Sequence, residues 1–188
     1  MLPEQEEEYL VEQAQAGDPV AFGILVDCYQ PSLRDYLLHL VGDRETAFDL
    51  TQEVFVRAYC AIRRTPSGLR FRPWLYRIAT NLACDHLRRQ RLRQSLSWHR
   101  PYHNIYREGG SDVLSALVER AVVQDALAQL PPAERLVLLL CGLEHLPYKQ
   151  AGAVLGISAE AARKRFHRAR ERFRRVYAEI NQHETKDM

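Results

Sequence analysis

Residues 148–170 read YKQAGAVLGISAEAARKRFHRAR: a short apolar stretch, a Gly-Ile-Ser break, then a stretch dense in arginine. Ala151, Val154, Leu155 and Ile157 are spaced to pack a first helix on a second. Gly156 supplies the left-handed backbone that a sharp turn requires. Ser158 can cap the second helix through its hydroxyl. Arg163, Lys164, His167 and Arg168 then lie on that helix within reach of base edges and phosphates, if its N-terminal end enters a major groove. Short helix, glycine turn and arginine-rich helix form the helix-turn-helix pattern of DNA-binding proteins. A two-helix packing unit with a solvated basic face fits the same residues.

Helical periodicity continues outward in both directions. Asp18-Pro19 predicts a helix start, because Asp accepts orphan N–H bonds and Pro is tolerated at the first helical position. Phe22, Leu25, Val26 and Tyr29 follow at the spacing of one helical face. Pro31 begins or kinks the next segment, which runs through Leu33, Tyr36, Leu37 and Leu40. Gly42-Asp43 ends it and caps another, with Ala47, Leu50, Val54 and Ala58 on one side. After a turn at Thr65-Pro66-Ser67-Gly68, a helix from about Pro73 to Arg93 turns Trp74, Leu75, Ile78, Leu82 and Leu87 toward a core. Periodicity is lost over 95–111, which reads as a linker. Asp112 opens a helix through Leu127, Pro131-Pro132 breaks it, and Leu136 to Leu143 forms a short apolar helix before Pro147 starts the motif. No β-alternation of useful length and no repeat is present. The expected fold is all-α, two small helical domains joined by a flexible linker.

Charge is distributed in blocks that the net of +2 conceals. Residues 1–62 carry twelve acids against three bases, 63–108 eleven arginines against two acids, and 159–177 eight bases against two acids. Basic blocks favour phosphate backbones, and an acidic block suits a basic protein partner. No apolar run approaches the roughly 20 residues of a membrane span. The start Met1-Leu2-Pro3-Glu4 is acidic where a secretory leader is basic, so the expected location is the cytoplasm. Cys28, Cys60, Cys84 and Cys141 are too far apart for a zinc knuckle or redox pair and read as buried small hydrophobes. His99 and His103 lack a third ligand, so no metal is expected. Asp49 and Glu53 share a helix face, but no carboxylate partners stand elsewhere at a catalytic spacing; neither enzymatic activity nor a cofactor or small-molecule substrate is expected.

Three further stretches narrow the reading. Asp49-Leu50-Thr51-Gln52-Glu53-Val54-Phe55-Val56-Arg57-Ala58-Tyr59 closely resembles the region 2.2 signature of ECF (extracytoplasmic-function) sigma factors of the sigma-70 family. Phe71 through Arg89, FRPWLYRIATNLACDHLRR, resembles their regions 2.3 and 2.4. Ala128-Gln129-Leu130-Pro131-Pro132-Ala133-Glu134-Arg135 and the helix-turn-helix resemble region 4. The motifs stand in the family's order and cover nearly the whole chain.

The resemblance implies a sigma region 2 domain over 1–94, a linker over 95–114 and a region 4 domain over 115–188. It implies core RNA polymerase and promoter DNA as partners, with an anti-sigma factor as a further one, and no membrane insertion. Asp49, Gln52 and Glu53 match the helix that docks on the β′ clamp; part of Leu136 to Leu143 is expected to meet the β flap. Arg63, Arg64, Arg70, Arg77, Asn81, Arg88 and Arg89 fall in the minus-ten segment, where the loop from Arg63 to Arg70 matches one that holds a flipped-out base and Asn81 a position that captures a base. Arg163, Lys164, Arg165, His167 and Arg168 match positions that read or hold the minus-thirty-five element, although Arg165 could pair with an internal acid. Trp74 lies on the apolar stripe and reads as core. Phe48 stands where an acid is usual, Pro147 where Ser is common, and Ala161-Ala162 replace Thr-Val. A helix-turn-helix regulator working without polymerase is the alternative, and leaves the region 2 resemblance unused.

Overall fold

The Asp18 carboxylate accepts a 2.8 Å hydrogen bond from the Val20 N–H, with Pro19 at the first helical position, so the sequence signal and the observed helix start coincide. The computed structural model describes residues 2–96 and 121–184. Helices α1 (Glu4–Ala16), α2 (Pro19–Val41), α3 (Arg44–Ile62) and α4 (Phe71–Leu96) form a first unit. A second contains α5 (residues 121–128), α6 (Pro132–Leu138), a π-helical turn over Leu139–Leu143, α7 (Tyr148–Leu155) and α8 (Ala159–Glu184). No strand occurs among the described residues, so the all-α expectation holds. No described helix is long and apolar enough to cross a membrane.

Several details depart from the sequence expectations. Pro31 does not begin a new helix: it lies inside α2, which continues through it. A proline inside a helix costs about 3 kcal/mol in isolation. Here Leu25, Tyr29, Leu33, Tyr36 and Leu37 are buried on both sides of it, and their packing outweighs the lost hydrogen bond. Helix α1 had no counterpart in the sequence reading. Its first turn carries Glu4, Glu6 and Glu7 at the positive end of the helix dipole, and Leu10, Val11 and Ala14 are buried. The expected helix over Leu136–Leu143 is split between α6 and the π-helical turn. Cysteines 28, 60 and 84 are exposed and Cys141 is half-buried, which corrects the expectation of four buried thiols; the first three fall on outward positions of α2, α3 and α4. Trp74 is only partly buried, its ring tilted on Phe71 at 5.7 Å. The linker reading over 95–114 lies outside the described residues except at 95–96, which are still helical. The start of the expected helix at Asp112 and the pair His99 and His103 also lie outside them.

The core begins between α2, α3 and α4, where Leu25, Leu33, Tyr36, Leu37, Val54, Ala58, Leu75, Tyr76 and Ala79 exclude solvent. Each large apolar side chain so buried contributes about 1.5–3 kcal/mol. The core continues without interruption onto Leu127, Leu139, Leu140, Leu146, Ala151 and Val154 of the second unit. Polar ties reinforce the seam. Gln124 Nε2 donates to the Leu38 carbonyl at 3.1 Å, and Arg135 donates to the Leu40 and Ala128 carbonyls at 3.4 and 2.8 Å. Arg135 thus sits at the C-terminal ends of α2 and α5, where a cation is favoured. A smaller cluster of Leu130, Val137, Ala162 and Ala169 joins α6 to α8.

Candidate nucleic-acid and protein interfaces

The helix-turn-helix is built as its sequence requires. Gly156 ends α7 at φ +67°, its N–H donating to the Gly152 carbonyl. Gly152 itself is obligatory: a Cβ there would stand 2.7 Å from the Ile157 carbonyl oxygen. Ser158 Oγ accepts from the Ala161 N–H at 3.1 Å and caps α8. Buried Ala151, Val154 and Ala162 hold α7 on α8, with the Tyr148 and Phe166 rings 5.8 Å apart. Farther along, Arg172 pairs with Glu134 of α6 at 3.2 Å and fixes the helix from its other side.

Arg163, Lys164, His167 and Arg168 are exposed on α8, whereas Arg165 is half-buried. Glu160 accepts from Arg163 at 3.0 and 3.1 Å and lies 3.5 Å from Lys164. The Arg163 hydrogen bond holds the Glu160 carboxyl below the usual range. These pairs are solvent-exposed and individually weak, so a phosphate can displace the carboxylate and take both cations.

On the first unit, Arg77, Asn81, Arg88 and Arg89 are exposed on α4. Arg77, Asn81 and Arg88 recur at helical spacing along one side; Arg88 pairs with Asp85 at 3.0 Å. The loop between α3 and α4 adds exposed Arg63, Arg64 and Arg70. Arg70, Trp74 and Arg77 face Lys149 and Gln150 of α7 across a cleft of about 360 Å³. The structure therefore brings Arg70 and Arg77 together. The α8 cations do not line that cleft; they are carried on the helix that follows α7.

Helix α3 presents a different surface. Asp49, Gln52 and Glu53 are exposed together with Phe48 and Val56, which are 46% and 63% accessible. Glu53 is paired with Arg57 at 2.7 Å. Apolar side chains left open among carboxylates suit a protein partner better than an anionic one.

One buried group escaped the sequence reading. Glu144, 4% exposed, accepts hydrogen bonds from the Tyr76 hydroxyl and from Arg72 on α4, and Arg72 also donates to its carbonyl. Burial pushes the Glu144 carboxyl above the usual range, against the opposing pull of Tyr76 and Arg72. Burial likewise raises Tyr76. The contact spans 68 residues of sequence, and no local pattern announces it.

A single operator-binding motif accounts for α7 and α8 alone. A second helical unit with its own arginine-and-amide face and a separate acidic helix is more than such a motif needs, and fits the class of multi-surface transcription factors that meet both DNA and a protein partner. Comparison with known proteins agrees. The sigma-70 region 2 profile matches residues 25–93 and the sigma-70 region 4 profile residues 120–173. The ECF RNA polymerase sigma factor SigW of Bacillus subtilis is 30% identical over 90% of this chain and 96% of its own. RNA polymerase sigma-H factor of Pseudomonas aeruginosa is 34% identical over 91% and 93%. Among solved structures, CnrH in complex with the cytosolic domain of CnrY is similar over 91% of this chain and 96% of that one, with a TM-score of 0.72 and 26% identity. The chain belongs to the ECF group of sigma-70 RNA polymerase sigma factors, proteins that direct transcription to particular promoters.

Proposed function

We propose that the surfaces divide the work of promoter selection. Asp49, Gln52 and Glu53 on α3 dock on the β′ clamp of core polymerase, with Phe48 and Val56 supplying apolar contact. Arg63, Arg64, Arg70, Arg77, Asn81, Arg88 and Arg89 hold the minus-ten element, Asn81 through the edge of an exposed base and the arginines largely through phosphates. Arg163, Lys164, His167 and Arg168 engage the minus-thirty-five element in the major groove; half-buried Arg165 has the least reach. Residues 1–94 and 115–188 act as the two functional domains, with 95–114 between them. The chain itself is not catalytic: polymerase carries out the nucleotidyl transfer. It works in the cytoplasm, and an anti-sigma factor is a further partner; the similar CnrH is found in complex with the cytosolic domain of CnrY.

The observation that carries this reading is the exposed Arg77–Asn81 face on a helix that belongs to the region 2 match, not to the helix-turn-helix. Run-off transcription with core bacterial polymerase tests it. Defined start sites that vanish when the chain is omitted are expected. Failure to bind core or initiate, with tight binding of duplex operator by the chain alone, would replace this reading with a polymerase-independent regulator.

A further inference from the structure

Gln15 lies in the last turn of α1, 50 residues before the loop between α3 and α4. Its Nε2 donates to Thr65 Oγ1 at 2.7 Å and to the Pro66 carbonyl at 2.9 Å, and lies 3.4 Å from the Thr65 carbonyl. The direction of these bonds is fixed by chemistry. The Thr65 hydroxyl donates to the Ile62 carbonyl, so toward Gln15 it can only accept. Pro66 has no N–H to offer. Every loop atom facing the Gln15 amide nitrogen is therefore an acceptor, and only a donor satisfies them. Two residues on, α1 ends at Gly17 with φ +105°, and the Arg63 guanidinium lies close over it: a Cβ on Gly17 would be 3.4 Å from Arg63 Cζ. A cation over the last turn of a helix is favoured by the helix dipole. The end of α1 thus holds both the first residue of the loop and its turn.

We infer that Gln15 is a positioning residue for promoter opening, fixing the loop from Arg63 to Arg70 in the shape that receives an extruded base. This rests on the reading of that loop as part of the minus-ten receptor. Extruding a base consumes stacking energy, and a loop that had to be ordered in the same step would add the entropy of its own ordering. A loop already tied to α1 does not add it. Gln15 touches no DNA in this scheme and acts through Thr65 and Pro66.

The test uses polymerase holoenzyme reconstituted with the full chain and single-stranded minus-ten oligonucleotides, each lacking one base, taken from a promoter found by run-off transcription. The wild type should lose affinity sharply when one particular base is missing, and Arg70→Ala should blunt that loss. Gln15→Glu is isosteric but sets a carboxylate against three acceptors. It should reduce the penalty for the missing base by about tenfold, the effect of two hydrogen bonds, while core binding stays as in the wild type and the melting temperature falls by about 2–6 °C. Gln15→Lys, which keeps a donor, should restore most of the discrimination. Thr65→Val removes an acceptor from the loop itself and should act like Gln15→Glu, with the double variant no worse than either alone. Unchanged base discrimination in both Gln15→Glu and Thr65→Val overturns the role of Gln15. If no missing base matters, or Arg70→Ala changes nothing, the loop reading itself fails, and this inference with it.

Discussion

Gly152 shows how a single missing atom can shape a DNA-binding motif. Its Cβ position is occupied at 2.7 Å by a backbone oxygen, which cannot swing aside as a flexible side chain can. Gly152→Ala should therefore cost about 1–3 kcal/mol through forced displacement of the turn. Gly142→Ala, where the new Cβ meets Phe166 at an ordinary 3.5 Å, should be tolerated. Urea unfolding of the two variants checks this, and equal midpoints would refute it. Sequence alone singled out Gly156, whose turn role is local, and passed over Gly152, whose constraint comes from the chain folding back on it. The cysteines failed for the opposite reason: composition favours burial of thiols, yet position on the helix decides it.

At the scale of the element, what was legible depended on how local the cause was. The α2 and α3 starts follow from Asp18 and Asp43, whose carboxylates accept from backbone N–H groups two and three residues on. The α7–turn–α8 motif follows from residues within one short stretch. Helix α1 was hidden because Glu4 to Glu8 resemble a solvated acidic tail until Leu10, Val11 and Ala14 find α2. The faces of α3 and α4 support a clean separation of effects. Glu53→Ala should weaken core polymerase binding at least about fivefold, or about 1 kcal/mol, a cost that only a minority of interface residues exceed, without altering DNA opening once the complex has formed. Asn81→Ala should leave core binding intact and lower promoter melting by about 1–3 kcal/mol, the worth of a good base-edge contact. Titrated pull-downs and permanganate footprinting of the same two variants measure both. A shared phenotype would mean that the faces do not act independently.

At the scale of the whole molecule, Glu144 joins the two units, and the burial that raises its carboxyl predicts a contact that weakens as pH rises. Its carboxyl faces Tyr76 and Arg72 from α4 and feels Asp35 from α2. Because its pKa is raised on folding, the folded protein binds more protons, and the associated stability is present below the ordinary carboxylate range and lost as pH rises through the raised value. Glu144→Gln keeps the shape and an acceptor for Tyr76 but cannot ionise. As pH rises above the ordinary carboxylate range, the melting temperature of the wild type should fall relative to that of Glu144→Gln; parallel curves would show that the carboxyl does not titrate in the contact. The sequence told of two units from the break in periodicity, but not that they would be packed together, since Tyr76 and Glu144 belong to separate helical patterns.

The unbroken core has a thermodynamic consequence. Leu139, Leu140 and Leu146 lie in the same apolar cluster as Leu33 and Leu37, so neither unit can melt without uncovering the other's buried surface. A shared core of this kind predicts that the two units unfold in a single transition, so that a substitution in either lowers the melting temperature of both.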